Sequence, residues 1–171
     1  MGFFSNMFGE GKTKISSQEW SDYAIKQLTS EEWDGVRKEF YRKSKEQIPK
    51  VMSIPEDIFI AELLGAQLEL LSFVSVKTNK KIGFALYPAI IQYMNNLEPS
   101  IKEHVDEGYM NANKKVAAFG RRGISGCNAI ATSFAERLEL NAPSEFIDQL
   151  EEEFEALGLV WINDISQYKF T

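Results

Sequence analysis

The sequence predicts an all-α fold, a single-domain bundle of about six helices around a central apolar helix. Three observations predict it. Residues 55–76 are the longest apolar-rich stretch of the 171. Elsewhere, apolar residues recur at spacings of three and four, the period of a helix face. Clusters of Gly, Pro, Asn and Ser punctuate the periodic stretches. An apolar fraction of 44% with three Trp argues for one real core and against disorder. The domain is drawn over 15–171, after a leader over 1–14 that is either flexible or docked.

The central helix carries the fullest set of signals. Pro55 suits a first helical position, where its missing N–H is no loss. Glu56 and Asp57 then place negative charge at the positive end of the helix dipole. Leu, Ala, Glu and Gln dominate the rest of the stretch and lose little entropy in a helix. Ile58, Ala61, Gly65, Leu68 and Ser72 make one stripe, and Ile60, Leu63, Leu64, Leu71 and Phe73 widen it beyond one face. A helix apolar on most sides is packed by neighbours all round. Gly65 costs about 1 kcal/mol relative to Ala inside a helix, which close approach of another helix would justify. Glu62, Gln67 and Glu69 interrupt the run, so a membrane span of ~20 mainly apolar residues is not expected. The alternative is local: an α+β variant with a small β-hairpin near 73–87, turning at Lys77-Thr-Asn-Lys-Lys81.

The other elements are set off by caps and breaks along the chain. Ser16-Ser17-Gln18-Glu19 offers a capping box for a helix carrying Trp20, Tyr23, Ala24 and Leu28 on one face. Ser30 starts a second helix with Trp33, Val36, Phe40 and Tyr41 inward and Arg37, Lys38, Arg42, Lys43 and Lys45 outward. Ile48-Pro49 to Pro55 reads as a connector. Residues 82–97 are predicted helical, with Pro88 kinking that helix or beginning a shorter one. Glu98-Pro99-Ser100 opens a helix through Phe119 on Ile101, Val105, Gly108, Ala112, Val116 and Phe119. Gly120-Arg121-Arg122-Gly123 breaks it. Ile124, Cys127, Ala131, Phe134 and Leu138 form the next face. After Asn141-Ala-Pro-Ser144, a last helix carries Phe146, Leu150, Phe154 and Leu157, with Glu151, Glu152, Glu153 and Glu155 toward solvent. Gly158 is read as its cap, and Leu159–Ile162 as a short strand or docked tail held by Trp161.

Composition narrows function. A net charge of −6 and a pI near 5.0 disfavour a nucleic-acid-coating protein. The single Cys127 excludes an intramolecular disulfide and a multi-cysteine zinc site, and fits a reducing cytoplasm. Residues 1–14 lack the basic region and apolar run of a secretory signal. Gly2 matches a myristoylation start, but Asn6 stands where Ser or Thr is wanted. Phe3, Phe4, Met7 and Phe8 offer a weak membrane or partner contact, against the plainer reading of a leader without one.

Three constellations bear chemistry. In Gly120-Arg121-Arg122-Gly123-Ile124-Ser125-Gly126 a glycine-rich turn opens a helix. Arg121, Arg122, Gly123 and Ser125 are its candidate anion ligands, since helix N-termini present free N–H groups and Arg presents paired donors. It has no P-loop ending, and the bland reading is a helix–helix turn with solvated arginines. The same region permits a helix-turn-helix presenting Asn128, Thr132, Ser133 and Arg137 to a major groove, but its flanks are acidic. The third is a carboxylate set, Glu62 with Glu69 and His104 with Glu107. It lacks the Glu-x-x-His of carboxylate-bridged metal sites, because Ile101 stands three before His104. No metal or other cofactor is assigned.

Cys127 lies within an apolar stripe and reads as a small buried hydrophobe. No Ser-His-Asp or Cys-His arrangement is defensible. The expectation is a non-catalytic binding or regulatory protein, acting through a protein partner or a homodimer. Arg37, Lys38, Arg42 and Lys43 are the candidate partner-binding residues, set against an ordinary solvated basic face. The alternatives are an anionic-ligand protein or enzyme using Arg121–Ser125, and a DNA binder.

Overall fold

The computed structural model describes residues 12–120 and 125–171. Their order is β1 (Thr13–Ile15), α1 (Ser17–Leu28), α2 (Glu31–Gln47), a 3-10 turn (Pro49–Ser53), α3 (Glu56–Thr78), α4 (Lys80–Asn95), α5 (Pro99–Gly120), α6 (Gly126–Arg137), α7 (Ser144–Ser166) and β2 (Tyr168–Phe170). The fold is all-α, a helical bundle with seven α-helices among the described residues. Its two short strands pair in parallel, Thr13 with Tyr168, Lys14 with Lys169 and Ile15 with Phe170.

The chain is built around α3. From Ala61 to Leu71 every residue is buried. The helix packs most extensively on α5, and also on α4, α7, α6 and α2. By length and composition α3 is after all sufficient for a membrane span, contrary to the expectation from its polar residues. What sets it apart is that 78% of its most apolar window is buried inside the bundle. Gly65 has the predicted reason. A Cβ there would stand 2.5 Å from the Val105 carbonyl and 2.7 Å from the Tyr109 nitrogen, and a Cβ on Gly108 would stand 2.7 Å from the Glu62 carbonyl. The two glycines let the backbones of α3 and α5 touch at their crossing.

Local signals place the ends. Ser16 and Glu19 form the predicted capping box, and Ser30 caps α2. Pro55 stands just before α3, one position earlier than expected. The hairpin near 73–87 does not form: α3 continues to Thr78, and Asn79 caps α4 by accepting from the Lys81 N–H at 3.0 Å. Gly83 explains the tight join, because Val76 packs where its side chain would be. Pro88 lies on the exposed side of α4, which runs through it as one helix.

The C-terminal expectation does not hold. Gly158 is not a cap, and residues 159–162 are neither strand nor tail, since α7 continues to Ser166. Gly158 is buried, and a Cβ on it would press to 3.3 Å from Val74 of α3. The strand that comes after α7 is β2, and its partner β1 begins inside the segment read as leader. Trp20 sits under this pair, edge-on to both Trp161 and Phe170, and its Nε1 donates to Asp164 at 2.8 Å.

Candidate functional site

The predicted anion turn lies mostly outside the described residues, which omit Arg121, Arg122, Gly123 and Ile124. Ser125 is described, and its hydroxyl is engaged within the molecule. It caps α6 by accepting from the Asn128 N–H at 3.0 Å and donates to Glu151 at 2.6 Å. Asn128 Nδ2 donates to the other Glu151 oxygen at 2.6 Å. A carboxylate of this chain therefore already stands at the α6 N-terminus, where a helix dipole favours an anion. Gly126 leaves no opening for an outside group either, because the Phe73 ring fills the place of its Cβ.

The side chains named for a DNA groove are similarly held inside. Asn128 is bonded to Glu151, Thr132 leans on Asn128, and Ser133 is buried. Arg137 is bonded to Glu62 at 2.7 Å and to Glu107. His104 Nδ1 lies 3.3 Å from the same Glu62 carboxylate. The four side chains tie α3, α5 and α6 together, and the hydrogen bonds and charge of Glu62 raise the Arg137 pKa.

Glu62 and Glu69 are both 2% exposed, but they do not converge. No cation among the described residues pairs with Glu69. Asn113 Nδ2 donates to both its oxygens, at 3.1 and 3.2 Å, while burial pushes its pKa up to about 8. Among the described residues no three His, Cys, Asp or Glu side chains gather to hold a metal ion. Burial pushes the Cys127 thiol up to about 11, with Glu155 and Glu151 adding to the rise. A thiol so raised stays protonated at neutral pH and is a poor nucleophile.

The predicted basic face of α2 is corrected at its first member. Arg37 points inward and is only 3% exposed. Its Nη1 donates to the Leu28 carbonyl at 3.0 Å and to Gln67 Oε1 at 2.9 Å, bridging the end of α1 to α3. The other cations are exposed, but acids of the same helix accompany them. Lys38 pairs with Asp34 at 2.7 Å, Arg42 with Glu39 at 2.8 Å and Glu46 at 2.9 Å, and Lys43 lies 3.9 Å from Glu39.

Arg37, named from the sequence for an outer face, instead marks a cleft that sequence reading missed. It is a buried guanidinium with no carboxylate within 4 Å among the described residues, and its Nε is buried without a partner. Desolvation lowers its pKa, against the opposing influence of Asp34 and Tyr93. It lines a cleft of about 640 Å³ between α2, α3, α4 and the start of α5. Ile60, Ala61, Leu64, Leu97 and Ile101 supply apolar wall, and Glu31, Glu56 and Asp57 are exposed carboxylates on it. Cavities of this size are ordinary small-ligand sites. On its other side Arg37 borders a smaller apolar groove of about 260 Å³ between α2 and α7, which includes Trp33, Phe40, Leu150 and Val160. Compared with protein-family models, with curated proteins and with solved structures, the chain matches none.

Proposed function

We propose that this chain is a non-catalytic binding protein whose Arg37 cleft receives the C-terminal segment of a protein partner. The observation that carries the reading is the buried, incompletely bonded guanidinium at the wall of a cleft that is apolar on its α3 and α5 sides and carries Glu31, Asp34, Glu56 and Asp57 at its edge. A charge taken out of water without a counter-charge is costly, and Arg is shaped to take a carboxylate through paired donors. A partner's terminal carboxylate answers that need. Its last apolar side chains lie against Ile60, Leu64, Leu97 and Ile101. Glu31, Glu56 and Asp57 favour Lys or Arg a few positions upstream and steer such partners by charge. Capture of a chain terminus by a fixed donor set is a recurrent recognition mode.

This reading makes the partner a protein and leaves no reacting group to assign. It keeps the cytoplasm as the proposed location, on the support of one free cysteine. A homodimer through the basic face of α2 is less favoured, because acids on α2 already neighbour its exposed cations.

The test is a calorimetric titration with a peptide that ends in leucines, carries lysines upstream and has a free carboxylate. Micromolar binding is expected, with amidation of the carboxylate weakening it by about tenfold or more. Glu56→Gln with Asp57→Asn is expected to weaken the lysine-bearing peptide and to spare a neutral one. Equal binding of the free and amidated peptides would refute the proposal.

A further inference from the structure

A second surface stands apart from the cleft and is chemically unlike the rest of the chain. Between Glu69 and Glu98 there is no acidic residue, in a chain with 25 of them, and the only charges are Lys77, Lys80 and Lys81. All three lysines are exposed. Between them the join of α3 to α4 presents large apolar side chains to solvent: Phe84 is 79% exposed, Tyr87 55% and Val76 47%. Lys80, Phe84 and Tyr87 are spaced by four and three along α4, so they line one outward stripe of that helix. Val76 joins the stripe from α3, because it packs directly on Gly83. The Lys77 ammonium lies 4.2 Å from the centre of the Phe73 ring.

Isolated apolar residues on a surface need no explanation. A phenylalanine this exposed, grouped with two more apolar side chains and three lysines, does. None of the described elements covers Phe84.

We propose that this corner, Lys77, Lys80 and Lys81 with Val76, Phe84 and Tyr87, docks on an anionic membrane surface. The chemistry matches a lipid interface in both parts. Aromatic rings settle at the headgroup level, and lysines near the surface are drawn by acidic headgroups, each adding to the attraction. The overall charge of −6 does not forbid this, because at physiological salt charges beyond about 8 Å are screened and the local face decides. Contact by one corner of a folded bundle is peripheral and reversible, unlike insertion of a helix. It leaves α3 buried in the core.

Vesicle co-sedimentation tests this with the full chain. Vesicles of phosphatidylcholine with about one-third phosphatidylserine are compared with phosphatidylcholine alone. Binding is expected to the acidic vesicles only and to disappear in high salt. Lys80→Glu with Lys81→Glu is expected to lower partitioning by roughly twentyfold or more, and Phe84→Ser to lower it several-fold. Both variants change exposed side chains, and unaltered thermal melts will show that the bundle is intact. Equal binding to both vesicle types, no binding to either, or variants that bind as well as the unaltered chain would each overturn the proposal. So would tight binding to polyglutamate with none to vesicles, which would make the corner a protein-facing surface.

Discussion

Burial takes Glu69 far from the ordinary chemistry of a carboxylate. It lies in the core with one amide donor and no cation beside it among the described residues, and burial raises its pKa from 4.5 to about 8. The folded chain therefore holds a proton that the unfolded chain has released over that interval. Stability is highest below the ordinary carboxyl range, falls as pH rises toward 8, and levels off above it. Glu69→Gln removes the titration and keeps an oxygen for Asn113. Urea denaturation is expected to find the two proteins similar at pH 5. At pH 9 the variant is expected to be more stable, by on the order of 2–4 kcal/mol. Parallel pH profiles for the two would show that the carboxylate is charged in the fold. The position of Glu69 on the central helix was legible in the sequence, but its isolation was not. That depends on which residues of α5 face it, a matter of tertiary contact across 44 positions.

At the scale of elements, glycines with the same helical cost have opposite consequences. Gly65 and Gly108 form the contact of α3 with α5, and any Cβ there meets backbone that cannot move aside. Gly35, in the exposed part of α2, has nothing within 4 Å of its Cβ position. Gly65→Ala is expected to destabilise by roughly 2–4 kcal/mol through forced separation of the helices. Gly35→Ala is expected to stabilise by about 0.5–1 kcal/mol through propensity alone. Thermal and denaturant unfolding of the two variants side by side will check the sign of each. Element boundaries marked by local chemistry, such as the Ser16 box and the Ser30 cap, were readable because cap and donor lie within three residues. Arg37 was misread for the converse reason. It stands four residues from both Trp33 and Tyr41, squarely in the apolar stripe, yet its charge argued for the outside. The acceptors that make its burial tolerable, Leu28 and Gln67, lie in other helices. Gly158 misled similarly, because a helix-ending glycine and one pressed against a neighbouring helix look alike along the chain.

At the scale of the whole molecule, the arrangement around Trp20 joins the first described residues to the last. β2 covers the indole with Phe170, α7 meets it with Trp161 and Asp164, and β1 is held by β2. Deleting residues 168–171 uncovers a fully buried Trp and releases β1. The truncated chain is expected to melt several degrees lower, with a red-shifted tryptophan emission in the folded baseline. An unchanged melt would mean that the strand pair contributes nothing to the bundle. The bundle itself was legible from periodicity, but this pairing was not. Strands of three residues are too short to show alternation, and they meet only after seven helices have placed them.

The parallel sense of that pair has a mechanical consequence. When tension enters the chain ahead of β1 and leaves it beyond β2, the strands are drawn past each other along their length rather than peeled apart one rung at a time. All the ladder bonds, including the one from the Thr171 N–H to the Ile15 carbonyl, then bear the load together. The helices behind them feel no force until the whole ladder yields.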